Sequence, residues 1–567
     1  MDRKRRLMEN NNGWPLRNQL FDGAPIALPL THTVIGRGGL TPSFTRATTE
    51  TGQKWDETGY LDFTALAGEM VFKGARREYN QWTTSSVSLA NGANKSLTLA
   101  AGTYQFSMGA GTGTATFSGT GGATGTLAAS TGRVSVAKTI SAGTFVVTAS
   151  VADLADLQVC NITGETDQTT IRPYVSVGVE SAPAYHGSMV DGVKCFDTDR
   201  SGNLIATTGN YPIVGYVPWE ARTNLCLQSN AFTTTWTASG PPTITKNVVG
   251  PDGATSAWTL TDGTGGADHI ISGNITFTAA AYTASVFIKK TVGATTFPVL
   301  WMIDAGSTTI SLCTADTNNG VATVWTANGF GLAMMAGASA RCSSYNDNYW
   351  RFELTATGTA VAYNFKFGPA LTTTANQSSG TFSAATTGSA VFYGAQVELG
   401  SSATSYIPTT TTAVARNADA LTYTGGDIAN IKTLACSFRR EAGVSVLGAV
   451  TGVNDNTFNH YNYCYLNSAT QFKFEGYAGG VEQWNTTASN AYTPGTQFKA
   501  ASSTATNSIL MDLNGTAQTA DTVATVPVVT RLDVGHIEGG SQLNGNVGGI
   551  YGWTRNLSQS ELAAVDR

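Results

Sequence analysis

Hydrophobic and polar residues alternate along most of the chain, with the period of two that is typical of β-strands. In residues 282–289 the even-numbered positions carry Tyr, Ala, Val and Ile, and Lys289 falls on the other side. In residues 349–354 the large apolar residues share one side, opposite Arg351 and Glu353. Because successive side chains of a strand point to opposite faces of a sheet, both segments are predicted to be half-buried strands.

Short alternating runs of this kind are separated by Gly-rich turns, and the chain contains 63 glycines. This pattern predicts an all-β fold of tandem antiparallel β-sandwich domains joined by extended arms. A capping box, Ser558 followed three residues later by Glu561, predicts one short C-terminal helix from Gln559 to Val565. The predicted units are an N-terminal extended arm or anchor (1–80), a small Gly-rich β-sandwich (81–160), a connector (161–229), a jelly roll (230–408) and a second large sandwich (415–567).

Two stretches of the chain look like copies of one module frame. Each begins with an extended arm that contains Ala-Arg and ends in Asn, at residues 72–80 and 216–224, and each closes with a segment that contains a Gln-Val strand, at 157–163 (with 172–175) and 394–408. A frame repeated around different interiors favours a modular appendage over a single catalytic core.

Arg76 and Arg222 stand in the two arms, and a guanidinium can pair with a carboxylate or with several carbonyl oxygens. We therefore predict that both arginines pin the arms structurally, with ligand binding as the alternative. The same prediction applies to Glu398 on the closing strand.

The composition excludes several classes of function. Only 13% of residues are charged and the net charge is −5, which argues against a nucleic-acid groove. The basic run at residues 3–6 is predicted to be a solvated arm, with docking onto an acidic partner as the alternative. No apolar run approaches the length of a transmembrane helix, so no membrane insertion is expected.

No constellation of catalytic or metal-binding residues is visible. The seven cysteines lack a CxxC pair, which is typical of free thiols in a protein assembled in a reducing cytoplasm. The five histidines are far apart and there is no Gly-x-Ser-x-Gly motif, so no enzyme activity, cofactor or metal is expected. Two oxygen-rich loops, 346–348 and 454–456, have too few ligands for calcium and are predicted to be turns.

A family resemblance rests on three sets of residues. Residues 215–225 (Gly-Tyr-Val-Pro-Trp-Glu-Ala-Arg-Thr-Asn-Leu), with 185–187 and 191–198 before them, resemble the head-spike or head-fibre domain of tailed bacteriophages. Residues 397–408 are similar to the exit of carbohydrate-binding-like jelly rolls in phage tail and fibre proteins. Residues 513–515 and 548–562 resemble the close of a laminin-G/concanavalin-like lectin sandwich.

The resemblance implies a structural virion protein, a head fibre, capsid decoration or tail-associated fibre, assembled in the host bacterial cytoplasm. Its expected partners are copies of itself in a homo-oligomer, often a trimer in this family, and other phage capsid or tail proteins. The alternative is a receptor-binding adhesin that recognises host surface glycans through its C-terminal sandwiches.

Glycan binding would require aromatic faces flanked by polar groups, because a pyranose ring packs its apolar face on an aromatic ring. The last domain offers five candidates for such a site, with a plain core face of a sheet as the alternative. They are Tyr461, Tyr463, Tyr465, Tyr477 and Trp484.

Overall fold

The computed structural model describes residues 24–565 apart from 31–32, 35, 56–60, 74, 86, 164, 166, 179–188, 197, 199–214, 241, 264–265, 347, 384, 441–446 and 469. The described residues form antiparallel sandwiches and one short C-terminal helix, which confirms the predicted all-β fold class. The basic run at 3–6 and the motif at 185–187 with its His186 lie outside the described residues.

The described part of the first 80 residues contains six short strands. Pro25 and Pro29 flank the first strand, and Pro42 lies within the second, which is the edge strand of its sheet, where a proline is tolerated. The strands are β1 (Ile26–Leu28), β2 (Leu40–Thr45), β3 (Glu50–Trp55), β4 (Leu61–Ala65), β5 (Phe72–Lys73) and β6 (Arg76–Tyr79).

The first inserted sandwich is small and packs two sheets around an aromatic core. Its sheets have the orders β10-β9-β12-β7 and β11-β8-β13. Phe106 lies between them and contacts Phe117 edge to face at 4.8 Å. The strands are β7 (Asn94–Leu99), β8 (Gly102–Met108), β9 (Thr114–Ser118), β10 (Gly125–Ala128), β11 (Val134–Ile140), β12 (Gly143–Ser150) and β13 (Gln158–Asn161).

In the described part of the chain between this sandwich and the next one, there are three strands. β14 pairs with β6, and β16 pairs with a strand beyond the jelly roll. They are β14 (Val193–Phe196), β15 (Gly215–Tyr216) and β16 (Arg222–Asn224).

The jelly roll has a six-stranded sheet, β18-β19-β30-β22-β28-β27, and an eight-stranded sheet with the main path β17-β20-β29-β23-β24-β25. The predicted inward face of residues 282–288 is confirmed, because all four of its even-numbered side chains lie in the core. The strands are β17 (Thr237–Ser239), β18 (Thr243–Val249), β19 (Thr255–Asp262), β20 (His269–Ile271), β21 (Ile275–Thr276), β22 (Ala281–Lys289), β23 (Phe297–Asp304), β24 (Thr309–Asp316), β25 (Val321–Val324), β26 (Ala333–Met334), β27 (Ala336–Ser344), β28 (Tyr349–Thr357), β29 (Ala362–Thr372) and β30 (Gly388–Leu399).

The last sandwich begins with β31, which pairs with β16, and ends with the predicted helix, which is confirmed with its predicted bounds. A short 3-10 helix spans Ile428–Asn430. The elements are β31 (Val414–Arg416), β32 (Ala420–Gly425), β33 (Thr433–Arg440), β34 (Gly448–Asn454), β35 (Tyr461–Leu466), β36 (Phe472–Ala478), β37 (Val481–Thr487), β38 (Phe498–Ala505), β39 (Ser508–Leu513), β40 (Thr516–Ala517), β41 (Arg531–Val534), β42 (Gly545–Trp553) and α1 (Gln559–Val565).

Strands from the N-terminal segment complete both sheets of this last sandwich. β2 forms the edge of the seven-stranded sheet β2-β32-β41-β34-β35-β36-β37. In the other sheet, β1 pairs with β42. β15 of the connector also pairs with β42, and β5 pairs with β15. The predicted arm of residues 1–80 and the predicted connector therefore lie partly inside the C-terminal sandwich, and the other two sandwiches are inserted between its strands.

Candidate functional site

The arm that enters the jelly roll is tied to its closing strand by one buried asparagine. The Nδ2 of Asn224 donates to the carbonyl oxygens of Ala395, at 3.2 Å, and Ile407, at 2.7 Å. Its Oδ1 accepts the amides of Cys226, at 3.0 Å, and Val397, at 3.1 Å. Four buried main-chain groups are satisfied by a single side chain.

The small sandwich uses the same device at Asn80. Its Nδ2 donates to the carbonyl oxygens of Leu157 and Val175, at 3.1 and 2.8 Å. Its Oδ1 accepts the amides of Trp82, at 2.9 Å, and Val159, at 3.1 Å. The module frame is thus a repeated hydrogen-bond network.

The closing strand carries the second half of the frame. Gln158 Oε1 accepts the amide of Val175, and Gln396 Oε1 accepts the amide of Ile407, each at 2.7 Å. Each glutamine therefore fixes the segment that its module's asparagine also holds. The side-chain amides of the frame form their hydrogen bonds inside the fold, so their role is structural.

Arg76 and Arg222 lie in different surroundings. Arg76 is buried, forms an ion pair with Glu78 and donates from Nε to the carbonyl oxygen of Thr198 at 3.0 Å. Arg222 is partly exposed and pairs with Glu220 at 2.5 Å. Arg76 thus contacts Thr198 outside its arm, whereas the ion pair of Arg222 is with a residue of its own arm.

The two arginines do not occupy the same place in the frame. Arg76 lies four residues before Asn80, whereas Arg222 lies two residues before Asn224. The residue two positions before Asn80 is Glu78, which pairs with both Arg76 and Arg172. When the two arms are aligned on their asparagines, their arginines therefore stand at different positions.

A second polar network joins the jelly-roll arm to the C-terminal sandwich. The Oδ2 of Asp419 accepts the amide of Trp219 at 3.1 Å, and its Oδ1 pairs with Arg46 at 3.1 Å, with both side chains buried. The amide of Glu220 donates to Oδ1 of Asn544 at 3.0 Å. Four distant parts of the sequence meet at this joint.

The predicted tyrosines lie on the outer face of the seven-stranded sheet. On β35, Cys464 and Leu466 point into the main core, so Tyr461, Tyr463 and Tyr465 point away from it. They form a small cluster of their own with partly buried neighbours around it. We call this surface the tyrosine face.

The structure separates one candidate from the others. Trp484 is buried in the main core, on the opposite side of the sheet from the tyrosine face. Tyr477 is half-buried on the tyrosine face and stacks on Tyr461 with ring centroids 4.8 Å apart. Phe458, which sequence reasoning missed, is 63% exposed and contacts Tyr461 edge to face. The accessible aromatic rings here are therefore those of Phe458 and Tyr477.

Polar groups border these rings. Glu475 accepts hydrogen bonds from the hydroxyl of Tyr465, at 2.9 Å, and from Asn485 Nδ2, at 3.2 Å. The same amide donates to Glu482 at 2.9 Å, while Lys473 donates to Asn485 Oδ1 at 2.9 Å. Burial, followed by the charge of Glu475, raises the pKa of Tyr465, so its hydroxyl remains a donor.

On the other side of the tyrosine face, several polar side chains donate hydrogen bonds to Asp533. This buried carboxylate accepts hydrogen bonds from Arg531, at 2.5 Å, Asn454, at 3.0 Å, and Tyr463, at 3.2 Å. Arg531 also donates to Asn456. The side-chain amides of loop 454–456 are thus engaged by neighbouring side chains.

The polar border could have been found by extending the alternation to neighbouring strands. Glu475 lies directly opposite Tyr463 in the pairing of β35 with β36, so both side chains share a face. Asn485 lies opposite Glu475 on β37. Phe458 gave no such signal, because it belongs to the loop before β35.

Among the described residues, no group of three or more His, Cys, Asp and Glu side chains is placed to hold a metal ion. Within the same part of the chain, no helix is long and apolar enough to cross a membrane.

No protein-family model matches the sequence, and no curated protein matches it. Among solved structures, the CBM40 domain of Ruminococcus gnavus IT-sialidase matches with 14% identity and a TM-score of 0.22, over 24% of this chain and 84% of that one. Mouse laminin α1 domains LG4-5 match with 10% identity and a TM-score of 0.17, over 51% and 85%. A pentraxin from Limulus polyphemus matches with 11% identity and a TM-score of 0.19, over 24% and 69%. Similarities of this size identify no family.

Proposed function

We propose that the chain is a non-enzymatic structural protein of a tailed-bacteriophage particle, a head fibre, capsid decoration or tail-associated fibre. The observation that carries this proposal is the joint around residues 215–225. The same residues that resemble the phage head-fibre motif connect the C-terminal sandwich, through Tyr216, to the jelly roll, through Asn224.

The way charge is used supports a structural role. The buried charged residues at the joint and in the arms pair with each other, as Arg46 does with Asp419 and Arg76 with Glu78. Such pairs fix the geometry of arms and domains, and each of their charges is already paired within the protein. The oligomer is proposed to be homomeric, with the solvent-exposed sandwiches displayed on the particle.

The test is to locate the chain in purified particles of the phage that encodes it. We expect mass spectrometry to detect it in gradient-purified virions, and antibody labelling with electron microscopy to place it at a fixed position on head or tail. Recombinant full-length chain should sediment as a homo-oligomer. A chain absent from virions and monomeric in solution would contradict the proposal.

A second function, recognition of host surface glycans, is favoured by one specific observation. The exposed ring of Phe458 and the half-buried ring of Tyr477 flank Tyr461, next to Glu482 and Asn485. Aromatic faces beside carboxylate and amide groups are the chemistry that holds a sugar ring and its hydroxyls. The tyrosine face would then be the binding surface of an adhesin.

The glycan proposal is tested with two alanine variants and a matched control. We expect full-length protein to bind host cells or a glycan array, and Phe458→Ala and Tyr477→Ala to lose about tenfold or more in affinity, the effect of about 1.4 kcal/mol. Phe330→Ala removes a ring of the jelly roll that is 37% exposed and should leave binding unchanged. Equal binding by all three variants would exclude the tyrosine face.

A further inference from the structure

A buried histidine holds the β41–β42 loop, residues 535–544. His536 is fully buried, with 0% of its surface exposed. Its Nδ1 accepts the amide of Gly539 at 2.9 Å, and its Nε2 lies 3.0 Å from the carbonyl oxygen of Leu421 on β32. An amide only donates and a carbonyl oxygen only accepts, so Nδ1 is bare and Nε2 carries the proton. The surroundings therefore fit one neutral tautomer of the imidazole and not the imidazolium.

A second proton would break one of these two hydrogen bonds. On Nδ1 it would face the amide hydrogen of Gly539, so two donors would oppose each other. The carboxylate of Asp533 is close by, with its Oδ2 3.9 Å from Nδ1 of His536. A charged imidazole would turn toward this oxygen, because a charge-assisted hydrogen bond forms at about 2.8 Å. The histidine thus has two arrangements, one for each charge state.

The same oxygen of Asp533 anchors the loop at a second point. It accepts the amide of Glu538 at 2.9 Å. It also accepts hydrogen bonds from Asn454, at 3.0 Å, Tyr463, at 3.2 Å, and Arg531, at 3.0 Å. Four donors already exceed the lone pairs of one oxygen, so an arriving imidazolium displaces one of them. The amide of Glu538 is the donor that belongs to the loop, and it follows the loop when the loop moves.

The backbone of the β41–β42 loop depends on such anchors. Three of its residues with side chains have the left-handed conformation, with φ of 45° at Glu538, 53° at Ser541 and 52° at Asn544. This conformation is unfavourable for residues other than glycine and persists only where the surroundings hold it. Release of the anchors therefore lets the loop relax to another conformation.

The loop is also one side of the joint between the C-terminal sandwich and the jelly-roll arm. The side-chain amide of Gln542 donates to the carbonyl oxygens of Gly539, at 2.9 Å, and Asp419, at 3.1 Å. The amide of Asn544 donates to the carbonyl oxygen of Pro218 at 3.1 Å. Gly539 therefore connects the histidine, through its amide, to the joint, through its carbonyl oxygen.

Burial favours the neutral histidine at neutral pH. Burial lowers the pKa of His536 below its usual 6.5, while the charge of Asp533 acts against burial and the charge of Arg531 acts with it. A lowered pKa means that the stabilisation by the neutral imidazole is full above pH 6.5 and is lost as the pH falls through the folded-state pKa. The histidine therefore changes its charge on the acid side of pH 6.5.

The segments packed around the histidine carry other titratable groups. They are Glu538 on the loop, Tyr463 on β35, Asp455 in the loop before β35, Asp419 before β32 with its partner Arg46, and Glu220 in the connector with its partner Arg222. Burial raises the pKa of both Glu538 and Glu220 above 4.5. These two carboxyls are therefore the alternative sites for a proton in mild acid.

We propose that His536 is an acid-sensitive switch in the joint between the C-terminal sandwich and the jelly-roll arm. The neutral imidazole holds the β41–β42 loop, and the loop holds Gln542 against the joint. The imidazolium turns to Asp533 and releases the loop. Mild acid then loosens the joint while both sandwiches stay folded. The switch concerns the joint alone, so it does not depend on whether the chain is a virion structural protein or an adhesin.

The test is hydrogen exchange with mass spectrometry on the full-length chain from pH 7.5 to pH 5.0, with each rate divided by the intrinsic rate at that pH. We expect peptides covering 535–544 and 216–220 to lose protection about tenfold or more, while β33 and β38 keep theirs. His536→Gln cannot titrate, and its side-chain amide can still donate to the carbonyl oxygen of Leu421. Its protection should therefore stay unchanged over this range. Exchange of the imidazole C2 hydrogen in the same samples reports the titration of His536.

His460→Gln is the matched control. His460 is a half-buried histidine of the same sandwich, outside the β41–β42 loop, so its variant should keep the full acid response. Wild-type protection that is unchanged down to pH 5.0 would overturn the proposal. Equal loss of protection in the wild type and in His536→Gln would also overturn it, and would indicate Glu538 or Glu220 as the acid-sensitive group.

A second measurement decides the matter should His536→Gln fail to fold. In the wild type, the loss of protection at 535–544 should have the same midpoint as the titration of the His536 imidazole. Midpoints that differ by more than about one pH unit would contradict the switch, because protonation and release would then be separate events.

Discussion

At the scale of single residues, the feature that the two modules share is a buried asparagine and not an arginine. Asn80 and Asn224 each bond to four main-chain groups, two carbonyl oxygens and two amides, at equivalent places in their modules. A buried side chain that serves two donors and two acceptors requires an amide at that position.

Asn224→Ala should therefore be costly for the jelly roll. It leaves the amides of Cys226 and Val397 and two carbonyl oxygens buried without partners, which should lower the free energy of unfolding by about 3 kcal/mol. Urea unfolding followed by tryptophan fluorescence measures this loss. Asn364→Ala, which removes two bonds of a half-buried side chain, should cost under about 1 kcal/mol. Equal costs for the two variants would contradict the role of the frame.

At the scale of elements, alternation predicts the inward face of a strand well and the outer face poorly. In β28 the apolar side chains of Phe352 and Leu354 lie in the core as predicted. Arg351 and Glu353, on the other face, are buried too. The segment after β30 covers them, since Ala403 donates its amide to Glu353 at 3.1 Å. A loop about 50 residues further along the sequence leaves no trace in the pattern of the strand it covers.

The terminal helix is the element whose sequence signal was most complete. The amide of Ser558 donates to Glu561 at 2.8 Å, and the amide of Glu561 donates to the hydroxyl of Ser558 at 3.4 Å, which forms the capping box. Leu562 and Val565 then face the apolar cluster beneath α1. The cap is local, which is why the sequence alone predicted this helix, whereas the cluster beneath it comes from distant strands.

This cap predicts a pH dependence. Hydrogen bonds from the side chain of Arg555 and the amide of Ser558 hold the pKa of Glu561 at about 2, below its usual 4.5. A lowered carboxyl pKa means that the stabilisation is full above pH 4.5 and is lost as the pH falls through about 2. Glu561→Gln should cost about 0.5 kcal/mol at pH 7, because the site is partly exposed and screened. Melting curves of both proteins should converge at low pH, and a gap that persists at pH 2 would contradict the charge-based cap.

At the scale of the whole molecule, the C-terminal sandwich is built from both ends of the sequence. β2 pairs with β32 and β1 pairs with β42, so strands hundreds of residues apart share sheets. Strand pairing at this separation has no local signal, and the N-terminal segment therefore read as an extended arm. The joint at Asp419 was equally hidden, because its partners Arg46 and Trp219 come from distant segments.

This architecture makes a sharp prediction for isolated fragments. A fragment of residues 222–416 keeps both sheets of the jelly roll, its frame and the pairing of β16 with β31, so it should fold alone. A fragment of residues 414–567 lacks the core side chains of the N-terminal segment and leaves β32 and β42 without edge partners. Exposed edges and a depleted core favour aggregation, so this fragment should be unfolded or insoluble. The missing core residues are Ile26, Leu28, Leu30, Val34, Phe44, Met70, Phe72, Ala75, Cys195 and Tyr216.

Circular dichroism and sedimentation velocity on both fragments measure the difference. Supplying residues 24–80 in trans should recover soluble 414–567, since these residues carry β1 and β2, which pair directly with β42 and β32. A 414–567 fragment that folds cooperatively alone would mean that the N-terminal strands dock onto a finished sandwich. If the domains are interlocked in this way, the last domain can fold only after the whole chain has been made. Its core combines residues of the N-terminal segment with residues 414–567, and two complete sandwiches separate these parts in the sequence. The inserted sandwiches can each fold earlier, around their own asparagine frames.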